Sequence, residues 1–549
     1  MAILVLGPLL RYAGDTTATV WVEVDAPCQV AVLGHTASTF QLDGHHYALV
    51  VLEGVEPGTE TPYQVHLDGA QVWPVPGDER PPSLIRTRHE QRRLRLMFGS
   101  CRVGAPQRPP YTQPASEHEL GFGVDALWAY SRRLQAGREQ WPDGLMLLGD
   151  QVYADEVSPE TADFIRTRRD VSKPPGEEVA DFEEYCRLYQ EAWSDADIRW
   201  LLATVPVTMI FDDHDIRDDW NSSASWLAEI RAQPWWEDRI AGGLMAYWAY
   251  QHIGNLSPPE LAEEPVLAAV RAAEDGGSIL RDHVLAGDRD TAGARWAYHR
   301  DFGGTRVLVI DSRAARVLNG DGHRQMIDDE EWRWISDHAH GDFDHLIIAS
   351  TLPVFLSHGI HNLEAWSEAI CAGAWGQLAR RGGESLRRAI DLEHWPAFGR
   401  SFELMVELLR DVAAGDNGRA PATILLVGGD VHHAYVADVR LRSGERLHSR
   451  VYQVVCSPFR NPLAPRPRAV MRLAATAPVG WAMRAMARAA GVDAPRASWR
   501  ISCGPTFENS IGTFEAEGRA SRVTVWGSLP DDESGPPLEP LFSKVLSAG

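Results

Sequence analysis

Cysteine is scarce in this 549-residue chain. Its six residues, Cys28, Cys101, Cys186, Cys371, Cys456 and Cys503, are dispersed and form no CxxC pair. Neither a disulfide framework nor a Cys-rich zinc site is indicated, and a reduced compartment is the expectation. Positive charge is also short: 53 Lys and Arg against 76 Asp and Glu leave a net charge of −23. Such a field repels nucleic-acid backbones and argues against a general nucleic-acid binder. No run reaches the ~20 apolar residues of a membrane span. A Walker loop, a G-x-S-x-G elbow and internal repeats are all missing. The apolar start, Met1 to Leu10, lacks a basic leader and a small-residue cleavage pattern. It reads as a first strand, with the cytoplasm as the expected location.

What is there is ordinary globular composition, 44% hydrophobic and 23% charged. The length suits more than one domain at the usual ~100–200 residues each. Residues 1–88 read as all-β, with alternation over Thr17–Val24 and Tyr47–Leu52 and turn pairs at Gly14-Asp15, Asp43-Gly44, Pro57-Gly58 and Asp68-Gly69. That spacing predicts a small sandwich, and Leu52–Thr59 with Tyr63–Leu67 resembles the late strands of fibronectin type III and Ig-like modules. The Pro-rich stretch Pro74–Pro82 reads as a linker. Over residues 89–549 the texture becomes α/β. Short apolar runs at Leu94–Phe98, Leu145–Leu148, Val205–Phe211, Val307–Ile310, Leu346–Ala349 and Ile424–Val427 are separated by helical stretches. Sites in such domains gather at the carboxyl ends of the strands.

Four strand ends carry the chemistry. They are Ser100-Cys101-Arg102; Gly149-Asp150-Gln151-Val152-Tyr153; Asp212-Asp213-His214-Asp215 followed by Arg217-Asp218-Asp219; and Asp430-Val431-His432-His433. A carboxylate just past a buried strand is costly to desolvate unless a cation or donor answers it. Asp150, Asp212/Asp213 and Asp430 would repel one another if brought together, and a multivalent cation is the simplest remedy. Thiolate, phenolate, imidazole and carboxylate form a mixed donor set. Calcium and magnesium ignore thiolate whereas ferric iron accepts both thiolate and phenolate, so two adjacent metals fit better than one. Each piece alone has an ordinary reading as a turn, a solvated loop or a small core residue. Their joint order is what informs.

In that order the motifs resemble those of PhoD-type alkaline phosphatases, within the calcineurin-like metallophosphoesterases. Gly149-Asp150-Gln151-Val152-Tyr153 is similar to the GDxxY motif shared with purple acid phosphatases. Asp213-His214-Asp215 stands where the wider superfamily has Asn-His-Asp/Glu, and Asp430-Val431-His432 where it has Gly-His-x-His. Gly99-Ser100-Cys101 replaces the leading Asp-x-His.

The resemblance implies a four-layer αββα catalytic domain behind the β-sandwich, and hydrolysis of phosphate esters by a hydroxide bound to two metals. Asp150 would bridge them as a catalytic ligand, with Cys101 and Tyr153 on ferric iron. Asp213 would bind the second metal, and Asp430 and His432 would complete the cluster. His214 would contact the phosphate and protonate the leaving oxygen. Fe3+ and Ca2+ are the implied cofactors, although Asp218-Asp219 in place of the family's two asparagines would retune the second site.

Arg217, His361 and His433 are candidate substrate-binding residues for a phosphorylated small molecule. His358 and His361 follow the Leu346–Ala349 run and also read as ordinary loop histidines. His338, His340 and His345 precede that run, at the end opposite the site, and read as solvated. A phospholipid or other phosphodiester substrate stays open, as does a metal-stabilised binding protein whose β-module recruits a partner. The family resemblance also admits an extracytoplasmic location. The Arg-rich segment 466–496 reads as basic and amphipathic: a helix on the protein's own acidic surface, a cap over an anionic substrate, or a membrane contact.

Overall fold

The computed structural model describes residues 1–88, 93–319, 324–444, 446–530 and 537–549, so the expected domain start at residue 89 lies outside the described residues. The N-terminal residues form two antiparallel four-stranded sheets. One has the order Leu4–Ala13, Thr17–Val24, His45–Glu53, Phe40–Leu42, and the other His35–Ser38, Gln29–Val32, Val65–Leu67, Ala70–Trp73. Alternation along the strands assigns each residue a side. Val20, Val22 and Val50 join Val30, Val32 and Leu67 in a core of their own, whereas Trp21, Tyr47 and Leu49 turn into the main core of the molecule.

The β-module is thereby fused to the α/β region. The Trp21 ring lies 5.4 Å from Tyr250. Arg11 is fully buried and donates to the carbonyls of Val207 (3.2 Å), Tyr250 (2.6 Å) and Gln251 (2.6 Å) and to Asn255 Oδ1 (3.2 Å). Carbonyl and amide oxygens satisfy this buried cation. Pro74–Pro82 is packed instead of free. Arg80 pairs with Asp78 and Asp197, Trp200 donates to the Pro81 carbonyl, and Leu84–Arg86 returns to pair with Glu60–Pro62.

The α/β region is built on two larger sheets. The first has the order Val207–Ile210, Gly144–Leu148, Leu94–Gly99, Ser510–Glu517, Ala520–Ser528, Leu538–Ala548, its first three strands parallel and the rest antiparallel. The second has the order Tyr298–Phe302, Thr305–Ile310, His345–Ser350, Thr423–Gly428, Arg450–Val455, Ala434–Leu441, Ala497–Thr506, with Thr305–Ile310 through Arg450–Val455 parallel. All six apolar runs are parallel strands, covered on both faces as continuous hydrophobic sequence requires. In the second sheet, Val307, Val309, Ile347 and Leu425 pack with Leu96, Phe98 and Leu145 of the first. Their neighbours Leu308, Ile348, Ile424 and Leu426 pack with Met405 and Leu409 of the helix Gly399–Ala414. On the first sheet lies the helix Ala126–Gln135, capped by the Asp125 carboxylate, which accepts from the amides of Leu127 and Trp128.

No helix among the described residues is long and apolar enough to cross a membrane. The Arg-rich segment folds as two helices, Pro465–Ala474 and Ala477–Ala489. Ala474, Gly480 and Ala487 are its buried positions, whereas Val470, Leu473 and Trp481 are 61%, 60% and 77% exposed. Val470, Leu473 and Trp481 therefore face outward, while Met471, Val479, Met483 and Met486 are half-buried beside the small residues.

Replacing Arg11 by Met would strand four oxygens between the β-module and the rest. A loss of about 1–3 kcal/mol is expected, the cost of leaving buried neutral acceptors without a donor. The denaturant midpoint measures it, and an unchanged midpoint would show that the module docks without Arg11.

Candidate metal centre

The carboxyl ends of strands from both larger sheets converge, and the loops that leave them supply the site. Cys101 follows Leu94–Gly99, Asp150 follows Gly144–Leu148, Asp212 to Asp215 follow Val207–Ile210, and Asp430 to His433 follow Thr423–Gly428. Each chain turns sharply as it leaves its strand. Cys101, Asp150, Asp430 and His432 all have positive φ, between 50° and 63°, a conformation that costs L-residues about 1–3 kcal/mol each. Gly149 precedes Asp150 at φ +95°, and a Cβ there would lie 2.6 Å from the Cβ of Asp212. Only glycine lets these two strand ends approach so closely.

Asp215 ties the ends together. Its carboxylate accepts from the backbone amides of Asp150 (2.9 Å), Gln151 (3.2 Å), Val152 (3.3 Å) and Asp212 (2.8 Å). One side chain thus fixes two loops from different strands.

Donor atoms of Cys101, Asp150 and His432 lie within 4.8 Å of one another, and so do those of Asp150, Asp212 and Asp213. Asp150 belongs to both groups. Both of its carboxylate oxygens are buried without a hydrogen bond, as is Asp212 Oδ2. Burial, then the neighbouring carboxylates, push the Asp150 carboxyl well above its usual range. The Cys101 thiol is likewise raised by burial, Asp150 and Asp430, although the Ser100 and Ser457 hydroxyls lie 3.2 Å from its sulfur. Burial lowers His432 to about 4, so its imidazole is neutral and able to ligate. The Tyr153 hydroxyl is raised by burial and then by Asp150 and Cys101, and accepts from Asn461 Nδ2 at 3.0 Å. Orphaned carboxylates packed against a thiol, a phenol and a neutral imidazole are a donor set that fits bound cations.

Arg313 is a cation built into this floor, and the motif pattern in the sequence does not include it. It is fully buried, bonds Asp212 and Glu393 (2.5 Å), and lies 3.1 Å from Asp213 and 4.0 Å from Asp430. Arg316 bonds the other Glu393 oxygen at 3.1 Å. Arg313 sits three residues past the strand Thr305–Ile310, so the strand-end signal that exposed the other loops applies here too. Beside it, His394 bonds Glu364 (2.7 Å) through Nδ1 and lies 3.3 Å from Asp430 through Nε2. Despite burial, these neighbours hold Asp430 well below the usual carboxylate range. No local pattern in the sequence marks Glu364 or His394.

The remaining candidates fall in several places. His214 bonds Asp155 through Nδ1 at 2.9 Å, its ring 4.8 Å from that of Tyr153. Asp430 lies outside both close donor groups but touches them through Arg313. His433 makes no hydrogen bond to the cluster: its Nδ1 meets the Val431 carbonyl at 2.6 Å and its ring stacks on Tyr435. Arg217 pairs with Glu178 at 3.1 Å over the Trp235 ring. His361 is packed between Phe402 and Trp499, away from the donor groups, and His358 bonds the Trp499 carbonyl. His338, His340 and His345 bond the carbonyls of Trp334, Ser336 and Gly518.

Residues 126–271, which include Asp150, Tyr153, Asp213 and His214, match the family model described as PhoD-like phosphatase. Residues 1–85 match a family described as a domain of unknown function, DUF7800. No curated protein matches the chain. Among solved structures, one titled "Structure of PhoD" is similar over 99% of this chain and 90% of its own, at 11% identity and a TM-score of 0.60. A purple acid phosphatase, PPD1 from yellow lupin (Lupinus luteus) seeds, is similar over 98% of this chain and 74% of its own, at 11% identity and a TM-score of 0.50.

Asp215→Asn keeps the size of the side chain but leaves one acceptor oxygen for four amides. Stability should fall by about 2–4 kcal/mol, and cation affinity by roughly 10–100-fold as the ligand loops loosen. Thermal unfolding and equilibrium metal titration measure both, and wild-type values would remove the clamp from the account.

Proposed function

Since the chain carries a PhoD-like phosphatase domain and is a metal-dependent phosphoric ester hydrolase, we propose that it cleaves small phosphate esters at a two-cation centre. The supporting observation is Asp150, whose two partnerless oxygens are shared between the two donor groups. Cys101, Asp150, Tyr153 and His432 would hold ferric iron. Asp150 and Asp213, with Asp212 beside them and Asp430 at the edge, would hold calcium, the harder cation preferring oxygen ligands. When bound, two cations supply Lewis acidity toward the phosphoryl oxygens and lower the pKa of water. We further propose that residues 89–549 form a four-layer αββα domain and residues 1–88 an Ig-like module that covers one side of it.

The chain's own groups do the rest. Arg313 partly neutralises Asp212, Asp213 and Asp430 and keeps their loops in register. Asp155 fixes the His214 ring through Nδ1, leaving Nε2, 3.9 Å from Asp218, to protonate the leaving oxygen. The helix Pro465–Ala474 borders this region through Arg472, which lies over the Phe507 ring that packs on His433.

His214→Ala should slow hydrolysis of esters with poor leaving groups by about 10²–10⁴-fold, and esters with good leaving groups far less, while metal content is retained. Equal losses on both would remove the proton-donor role. The purified protein should absorb visible light, and Cys101→Ala and Tyr153→Phe should each shift or bleach that band. A colourless, iron-free and active protein would overturn the iron assignment. A panel of phosphate mono- and diesters without any turnover would overturn the hydrolase.

A further inference from the structure

A cavity of about 1270 Å³ is lined by none of the metal-centre residues. Six arginines line it: Arg324, Arg380, Arg381, Arg387, Arg388 and Arg496. On a chain with a net charge of −23 that concentration is unusual. Five acids share the wall, Glu229, Glu368, Glu384, Glu403 and Asp493; Glu403 lies 4.0 Å from Arg496, and the first three are engaged elsewhere. Glu229 takes both terminal nitrogens of Arg388 (2.9 and 2.8 Å), Glu384 bonds Ser225 (2.6 Å) and Arg387 (3.0 Å), and Glu368 accepts the Gly399 amide (3.0 Å). Arg380 and Arg381 form no ion pair among the described residues.

Arg387 is 3% exposed, yet its Nε and one terminal nitrogen have no hydrogen bond; Arg324 Nε is in the same condition. Arg324 is held rigidly, with its terminal nitrogens on the carbonyls of Ala397 and Ser222 and its guanidinium 4.2 Å from the Phe398 ring centroid. Buried N–H donors left unpaired are expensive, and a guanidinium fork is matched in shape to a carboxylate or phosphate. Ala365, Ala369 and Phe402 supply an apolar stretch of wall.

Both walls lead to the metal centre along the chain. The loop that carries Asp213 and His214 continues into the cavity at Ser223 and Ser225. The helix Gln377–Ala389, which carries Arg380, Arg381, Arg387 and Arg388, runs on to Glu393 and His394, the partners of Arg313 and Asp430.

We propose that the cavity binds a carboxylate or phosphate group at the far, unreactive end of the substrate. The substrate class is then a phosphate ester with a second oxyanion separated from the first by an apolar spacer. The assignment of this ligand to the substrate rests on the phosphoesterase reading; the anion site itself does not. Remote binding of this kind lowers KM, and raises kcat where it positions the reacting phosphate, for tailed esters only.

The experiment has two arms on the full-length protein. Calorimetric titration with glutarate, and with inorganic phosphate in an Asp150→Asn background, probes the two oxyanions directly. Saturable binding of at least one is expected, weakened at least tenfold by Arg387→Gln and several-fold by the surface pair Arg380→Gln/Arg381→Gln. The second variant serves if Arg387→Gln does not fold. Kinetics on the holoenzyme then compare phenyl phosphate esters with and without a carboxylate-bearing arm. The arm should lower KM, and the arginine variants should erase that advantage while leaving the unarmed ester unchanged. Absence of saturable binding, binding indifferent to both arginine variants, or KM values for the two esters that move together in those variants would overturn the cavity assignment. Anion binding that depends on the arginines, with no hydrolysis of either ester, would overturn the phosphoesterase reading and the substrate link while leaving the anion site.

Discussion

A carboxylate buried without a single hydrogen-bond donor is the constraint around which this protein is arranged. Asp150 sits at the end of a central strand with both oxygens unanswered by the chain, and leaving a charge in that state costs several kcal/mol. The surrounding loops make the situation worse before they resolve it. Six of the ten non-glycine residues with positive φ among the described residues lie here: Cys101, Asp150, Asp219, Asn221, Asp430 and His432. Backbone strain and electrostatic repulsion are concentrated at one point, and bound cations are the agent that can offset both.

The rest of the structure holds that point still. Parallel strands from two sheets aim their carboxyl ends at it, Asp215 laces two of those ends, and Arg313 spreads one positive charge over three aspartates and Glu393. Glu364 and His394 brace Asp430 from the other sheet's side. The β-module contributes by covering the first sheet's surroundings with Trp21, Tyr47 and Arg11 rather than by reaching the site. Precision at the ligands therefore comes from polar groups that touch no substrate.

Much of this is legible in the sequence for a definite reason. Parallel strands are covered on both faces, so they read as short apolar runs, and a carboxylate immediately after such a run is conspicuous. Cys101, Asp150, Asp213 and His432 stand out in that way. Asp215 belongs to a visible motif, but its role as a clamp depends on amides from another strand and has no local signature. Arg313 carries the strand-end signal yet escapes notice because an arginine does not look like a ligand. His394 and Glu364 meet only through the tertiary fold. His361 is legible as a histidine near a strand end; it packs against Phe402 and Trp499 and lines the arginine-rich cavity, outside the donor groups. The Arg-rich helices keep their helical pattern while turning Val470, Leu473 and Trp481 outward, because alanines and a glycine give the closer contact.

The account turns on one carboxylate serving two cations. Its most direct measurement is metal stoichiometry by mass spectrometry on protein loaded with iron and calcium, for the natural chain and for Asp150→Ala. Two cations per chain, falling below one in the variant with the fold retained, is the expected result. An Asp150→Ala protein that still carries two would contradict it.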